Sequence, residues 1–185
     1  AIPYATTPKT TTSSTSSSSD EELILNPIID LSGWQLPQDI DYDVLSNHIS
    51  GAIVRVFGGS LISKDSNAAS SNGVDKSFKT HIKELKKRDV PVAVYSYAQG
   101  ASVKEMKEEA RIFYKNASPY KPTYYWIDVE EETMPNMEEG VQAFLAELKR
   151  LGADKVGLYI GAYFMLEQEV STRNFDAVWI PAYGT

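Results

Sequence analysis

The chain has 185 residues, a formal net charge of −7 and no cysteine. Without thiols there is no disulfide framework, thiolate metal site or cysteine nucleophile, and His48 and His81 are too few for a histidine-rich metal centre. The acidic balance argues against nucleic acid as a partner, because phosphate binding draws on clustered Lys and Arg, and no apolar run nears the roughly 18–20 residues of a membrane span.

Residues 1–22 hold little that packs. Thr6 to Ser19 is almost entirely Thr and Ser, a composition that cannot bury enough apolar surface to offset its ordering entropy. It reads as a disordered linker, with one domain over 23–185. Such linkers are common outside the cytoplasm. The expected location is therefore extracellular or at the cell surface, as a mature product whose targeting segment is not in this chain.

From Leu23 onward, short β-rich runs alternate with helical patterns. The strands are predicted at Pro27–Asp30, Gly51–Phe57, Val90–Tyr97, Thr123–Val129, Lys155–Ile160 and Ala177–Ala182. Helices are predicted at Tyr42–His48, Asp75–Arg88, Ser102–Ala117, Asn136–Leu151 and Ala162–Gln168. In Ser102–Ala117, Val103, Met106, Ala110, Phe113 and Ala117 keep helical spacing, and Ser102 with Glu105 forms a capping box. Asn136 caps the next long helix and Gly152 closes it. Repeated strand–helix–strand units imply right-handed crossovers and a parallel α/β sheet. Barrel and open sheet both fit this pattern, although a full eight-stranded barrel typically needs about 250 residues. Neither GxGxxG nor GxxxxGK[ST] is present, which weighs against a nucleotide site.

In parallel α/β folds the chemistry sits at the carboxyl ends of the strands. Those ends carry Asp30 with Trp34, Arg55, Tyr95 with Tyr97 and Gln99, Asp128 with Glu130, Tyr159, and Trp179 with Tyr183. In Trp126-Ile127-Asp128-Val129-Glu130, alternation turns Asp128 and Glu130 to one face, their Cα atoms roughly 6–7 Å apart. Asp30 completes a three-carboxylate cluster. Crowded like charges raise at least one pKa, and a carboxyl group protonated near neutral pH is the general acid of glycosidic cleavage. Neighbouring Tyr and Trp suit the apolar faces of sugars. A divalent-cation site remains an alternative for the same carboxylates, and Glu131–Glu132 read as a solvated charge pair. Both histidines read as structural.

The chain resembles the glycoside hydrolase family 25 lysozymes in IIDLSGWQ (Ile28–Gln35), IDYDVL (Ile40–Leu45), AIVRVFGG (Ala52–Gly59), VAVYSYAQ (Val92–Gln99), YYWIDVEEE (Tyr124–Glu132), VGLYIGAYF (Val156–Phe164) and AVWIPAYG (Ala177–Gly184). The resemblance implies a trimmed TIM-like (β/α) barrel of parallel strands with shortened or missing helices. It also implies cleavage of the β-1,4 bond between N-acetylmuramic acid and N-acetylglucosamine in the peptidoglycan glycan strand. By the same resemblance Glu130 is the general acid and Asp128 the stabiliser of developing positive charge, or the group that orients the substrate's own N-acetyl. Asp30 is the supporting carboxylate, and Tyr95, Tyr97, Tyr159, Trp179 and Tyr183 line the saccharide groove. Trp34 and Gln99 are expected as further substrate contacts. No cofactor and no metal is expected, and the chain is expected to be monomeric. The family continues past its W-x-x-x-Y stretch with two more strands, so the barrel is expected to be incomplete at its C-terminal side. Two alternatives are a non-catalytic wall-binding module, motivated by that missing end, and a chitinase-like glycosidase. The second is weakened because Thr123 and Trp126 stand where the first carboxylates of a DxxDxDxE strand would be.

Overall fold

The structure, a computed structural model, describes residues 26–58 and 72–181. The stretch read as a linker lies outside them. The elements run β1 (Ile28–Leu31), α1 (Tyr42–Ser46), β2 (Gly51–Phe57), α2 (Phe78–Lys86), β3 (Val92–Tyr97), α3 (Val103–Ala117), β4 (Tyr125–Val129), α4 (Met137–Leu151), β5 (Val156–Ile160), α5 (Ala162–Glu167) and β6 (Ala177–Trp179). The strands lie in the order β1-β2-β3-β4-β5-β6, and every neighbouring pair is parallel. They curl into a half-barrel, the trimmed TIM-like α/β fold expected from the sequence. The shortened helices are α1, with five residues, and α5, with six.

Period-two alternation divides each strand between two environments. Ile29, Val54, Val94, Ile127 and Leu158 face outward and pack under Phe78, Ile82, Met106, Phe113, Phe144 and Leu148 of the helices. At about 1.5–3 kcal/mol per fully buried side chain of this kind, that layer carries most of the apolar stabilisation. The intervening residues face inward. There Ile53, Ala93, Tyr95 and Tyr159 pack with Ile28, Tyr124, Trp126 and Trp179 in a separate, aromatic cluster. The concave side is therefore stiffened by rings and left to carry polar groups near the strand ends.

Several edges move by a few residues, for local reasons. β3 begins at Val92 because Pro91 has no N–H for the ladder, although its carbonyl accepts from Ala52 N at 3.0 Å. α2 begins at Phe78 rather than Asp75. The Asp75 carboxylate instead accepts from the backbone N–H of Ser77 at 2.8 Å and of Gly33 at 2.6 Å, and pairs with Arg55 Nε at 2.9 Å. The helix caps hold as expected. Ser102 Oγ accepts from Glu105 N at 3.1 Å, and Asn136 Oδ1 accepts from Glu139 N at 3.1 Å. The returning bond of the capping box closes one residue early, from Ala101 N to Glu105 Oε2 at 2.7 Å.

Both histidines are structural. His81 is fully buried, and burial lowers its pKa, which keeps the ring neutral. Its partners set the tautomer: Nε2–H donates to the Ser32 carbonyl at 3.0 Å, and Nδ1 accepts from the Tyr42 hydroxyl at 2.7 Å. His81 thus braces the turn just beyond Asp30. His48 is exposed, with Nδ1 2.8 Å from the Val44 carbonyl.

Candidate active site

The register of the sheet assembles the expected residues in rows. Tyr97, Asp128, Tyr159 and Trp179 are successive partners across β3, β4, β5 and β6. One row deeper, Arg55, Tyr95, Trp126 and Gly157 are partners across β2 to β5. Asp30 enters from β1, opposite Ile53. Glu130 follows β4 directly and stands half-buried at the mouth. It forms one wall of a cavity of about 440 Å³ shared with Val129, Gly161, Ala162, Tyr163, Phe164 and Pro181.

Asp128 is fully buried, and neither carboxylate oxygen has a hydrogen-bond partner. Ionising such a group means desolvating a charge with nothing to solvate it in return. Its pKa is accordingly pushed up to about 8, first by burial, then by the Glu130 carboxylate and to a lesser degree by Asp30, with Arg55 opposing. Asp30 is also raised, again mainly by burial, while its own backbone N–H opposes and Glu130 adds to the rise. The three carboxyl groups therefore act on one another as the sequence suggests. The dominant cause is burial, however, where charge crowding alone was expected. Near neutral pH the deep position holds a proton.

The aromatic residues divide by depth. Tyr95 is buried, and desolvation raises its pKa, so it stays a neutral hydroxyl beneath the carboxylates. Tyr159 and Trp179 meet edge to face at 5.8 Å. Tyr97 donates its hydroxyl to Glu131 Oε1 at 2.7 Å, and Gln99 Nε2 reaches Glu131 Oε2 at 3.4 Å. Glu131 is thus exposed, as its reading as a solvated charge has it, and is in addition a tethered neighbour of Glu130. Glu132 is exposed and takes one bond, from Gln168 Nε2 at 3.3 Å. Trp34 stays on the loop after β1, 63% exposed, and joins none of the ring contacts that link Trp126, Tyr159 and Trp179. Tyr183 lies outside the described residues.

Three features of the site were not anticipated. Trp126 stacks on Tyr124 at 5.5 Å and 24°, and meets Trp179 edge-on at 6.0 Å, filling the concave side below Asp128. Alternation with Asp128 was the signal for it. Its ring lies against Gly157, where an added Cβ would come within 2.5 Å of Trp126 Cε3 and Cζ3. Gly157→Ala should therefore displace a ring wedged between two others, at a cost of about 1–3 kcal/mol. Urea unfolding followed by tryptophan fluorescence checks this, and an unchanged midpoint contradicts it. The third feature is the Arg55–Asp75 pair. Asp75 is 2% exposed, and the pair places a guanidinium on the inner face, where its charge opposes the raised pKa of Asp128. Twenty residues separate the partners, and no motif links them in sequence.

No group of three or more His, Cys, Asp or Glu side chains among the described residues is arranged to hold a metal ion. The cation alternative for the carboxylates therefore has no geometric support there. What remains is a buried protonated acid, a second carboxyl group at the mouth, a supporting carboxyl and a wall of rings, a set suited to glycosidic cleavage.

The profile of Glycosyl hydrolases family 25 matches residues 29–185. The chain belongs to that family. It is a glycoside hydrolase, and the match spans all six strands apart from the first residue of β1. A solved glycosyl hydrolase 25 of Streptococcus pneumoniae, described as a virulence factor participating in host cell invasion, is 56% identical. It superposes with a TM-score of 0.84 over 87% of this chain and 70% of that one. The catalytic domain of an endolysin from a Listeria monocytogenes bacteriophage superposes with a TM-score of 0.66 at 23% identity, over 80% of this chain and 70% of that one. A modular autolysin of Streptococcus pneumoniae, solved with a synthetic peptidoglycan ligand, gives 0.58 at 19% identity, over 75% of this chain and 33% of that one. These two likenesses bear on the fold alone. No curated protein sequence matches the chain.

Proposed function

We propose that the chain is a muramidase that hydrolyses the β-1,4 bond between N-acetylmuramic acid and N-acetylglucosamine in peptidoglycan. The observation that carries this reading is the Asp128–Glu130 pair, one carboxyl group sealed beneath the other on the concave face of a family 25 half-barrel. Membership of family 25 and the 56% identical glycosyl hydrolase support glycosidic cleavage as the reaction class.

In this mechanism Glu130 stands at the mouth, where a glycosidic oxygen can reach it, and delivers a proton to that oxygen as the C1–O bond breaks. The proton is drawn from Asp128, on which burial holds it near neutral pH, and passes to the leaving oxygen by way of Glu130. As positive charge grows at the anomeric carbon, the carboxyl group of Asp128 beneath it becomes easier to ionise, because a carboxylate there gains a counter-charge. Its anion then stabilises the oxocarbenium-like state, or holds the substrate's N-acetyl group in line for attack on C1. Water completes the reaction: its oxygen bonds to C1 and its proton returns to the carboxyl pair. Asp30 keeps the deep pocket acidic, Tyr97 and Trp179 offer ring and hydroxyl contacts to the sugar, and the buried Tyr159 backs the ring of Trp179. Trp34, Gln99 and Tyr183 are proposed as outer contacts along the strand.

The substrate lies outside the cytoplasm, and the Ser/Thr-rich stretch suits a tether there. We therefore place the enzyme in the secreted or surface-attached class, with opening of the wall as its biological effect. Release of soluble glycan from purified peptidoglycan, against chitin as the comparison, tests the reading. Turnover of peptidoglycan is expected. Tight binding without turnover contradicts it and favours a wall-binding module, and preference for chitin favours the chitinase-like alternative.

A further inference from the structure

We propose that Glu109, on the buried side of α3, is a positioning residue that fixes the turn after β3 and, through it, the segment that carries Glu130. This inference rests on the muramidase reading for its kinetic consequence and on geometry for its structural one.

Glu109 is 8% exposed, and its carboxylate faces the backbone of the turn. It accepts from Gln99 N at 3.0 and 3.2 Å and from Gly100 N at 2.7 Å. The next amide, Ala101 N, goes to Glu105 Oε2 at 2.7 Å. Three consecutive amides of the turn are thus held by carboxylates of one helix. The turn also approaches α3 closely: a Cβ on Gly100 would come within 2.7 Å of Met106 N. A side chain at that position would push the turn away from the helix.

The turn then reaches across to the segment after β4 by two routes. The Gly100 carbonyl accepts from Thr133 Oγ1 at 2.7 Å. The Gln99 side chain, with the Tyr97 hydroxyl, holds Glu131, the residue next to Glu130. Gly100 is therefore bonded on both sides, its N–H to Glu109 and its C=O to Thr133. A shift of the turn is passed to Glu131 and Thr133, which closely follow the catalytic carboxyl group in the chain. Burying a carboxyl group here is costly in itself: burial raises its pKa to about 7, against the pull of the two amides. A neutral helix side chain would avoid that cost, but it could not accept from adjacent amides with two oxygens.

Glu109→Gln keeps the shape but turns an NH₂ group towards one of the amides, so one of those bonds is lost. The experiment measures kcat and KM on soluble glycan strands for wild type, Glu109→Gln, Thr133→Val, the double variant and Phe113→Leu. The last is a control that weakens α3 within its core. Amide hydrogen exchange is followed at 99–101 and 131–134 in each protein without substrate. Misplacement of a catalytic group by about an ångström costs up to roughly 10²-fold. We expect Glu109→Gln and Thr133→Val each to lower kcat per folded molecule by about 10- to 100-fold, with KM within about twofold. The double variant should be no worse than the poorer single one, and exchange at 131–134 should accelerate in Glu109→Gln. Phe113→Leu should keep its kcat. An unchanged kcat in Glu109→Gln, a multiplicative double variant, a loss matched by Phe113→Leu, or unaltered exchange at 131–134 each overturns the proposal. Wild type without turnover would contradict the muramidase reading instead, and the exchange arm would then decide the positioning role by itself.

Discussion

Replacing Asp128 with Asn is expected to give a protein more stable than its parent at neutral pH and close to inactive. The stability side follows from linkage. The native carboxyl group titrates near 8 while the unfolded one titrates at its ordinary value of 3.8. Between these values the native state binds the proton that the unfolded state has lost, so stability falls as pH rises through that window and levels off above it. Each tenfold difference in proton affinity between the two states is worth about 1.4 kcal/mol. Part of the effect is shared with Glu130, so a cost of a few kcal/mol has accumulated by the alkaline end. Asn has the same shape and cannot ionise. Its stability should therefore show a flatter pH dependence from about 4 to 8, with the gap to wild type widening as pH rises. The activity side follows from the role. Loss of the charge that stabilises the anomeric centre should lower kcat by about 10²–10³-fold. Urea midpoints at a series of pH values, together with turnover at one pH, check both sides. A variant that is destabilised at every pH would show that the buried carboxyl group is satisfied in the native state, contrary to its lack of hydrogen-bond partners.

Glu130→Gln is expected to lower turnover by about 10²–10⁴-fold, the usual contribution of a positioned acid, without loss of the fold. The residue is only half-buried and sits beyond the end of β4, so its shape-preserving replacement leaves the core intact. The loss should depend on the leaving group. An aryl glycoside whose leaving oxygen needs no proton should suffer far less than peptidoglycan. Equal losses on both substrates would assign Glu130 to a step other than protonation. The substitution also removes the second cause of the raised Asp128 pKa. The pH dependence of stability should therefore shrink in this variant but persist, since burial is the larger cause.

The half-barrel was legible because its signals are local or periodic. Alternation along Trp126-Ile127-Asp128-Val129-Glu130 places both carboxyl groups on one face, and Ser102 and Asn136 cap the helices that the spacing predicts. Strand ends as the location of polar residues followed from parallel pairing alone. Less legible was whatever depends on distance across the fold. Asp75 reads as the start of a helix, yet its carboxylate is spent on Gly33, Ser77 and Arg55. Glu131 reads as one of three like charges in a row, yet Tyr97 and Gln99 reach it from the neighbouring strand. Gly157 looks like any glycine in a strand until the ring of Trp126 is seen lying against it. The depth of Asp128, which sets its proton affinity more than its charged neighbours do, is likewise a property of the assembled sheet.

The most direct test of the account is the identity of the sugar at the newly formed chain ends. Purified peptidoglycan is digested with the chain, the products are reduced with borohydride, and the terminal sugar alcohol is identified by mass spectrometry. Cleavage after N-acetylmuramic acid predicts muramitol at every new end, with none formed by Glu130→Gln over the same period. Glucosaminitol at the new ends, or muramitol produced equally by Glu130→Gln, would contradict a muramidase acting through the carboxyl groups of β4.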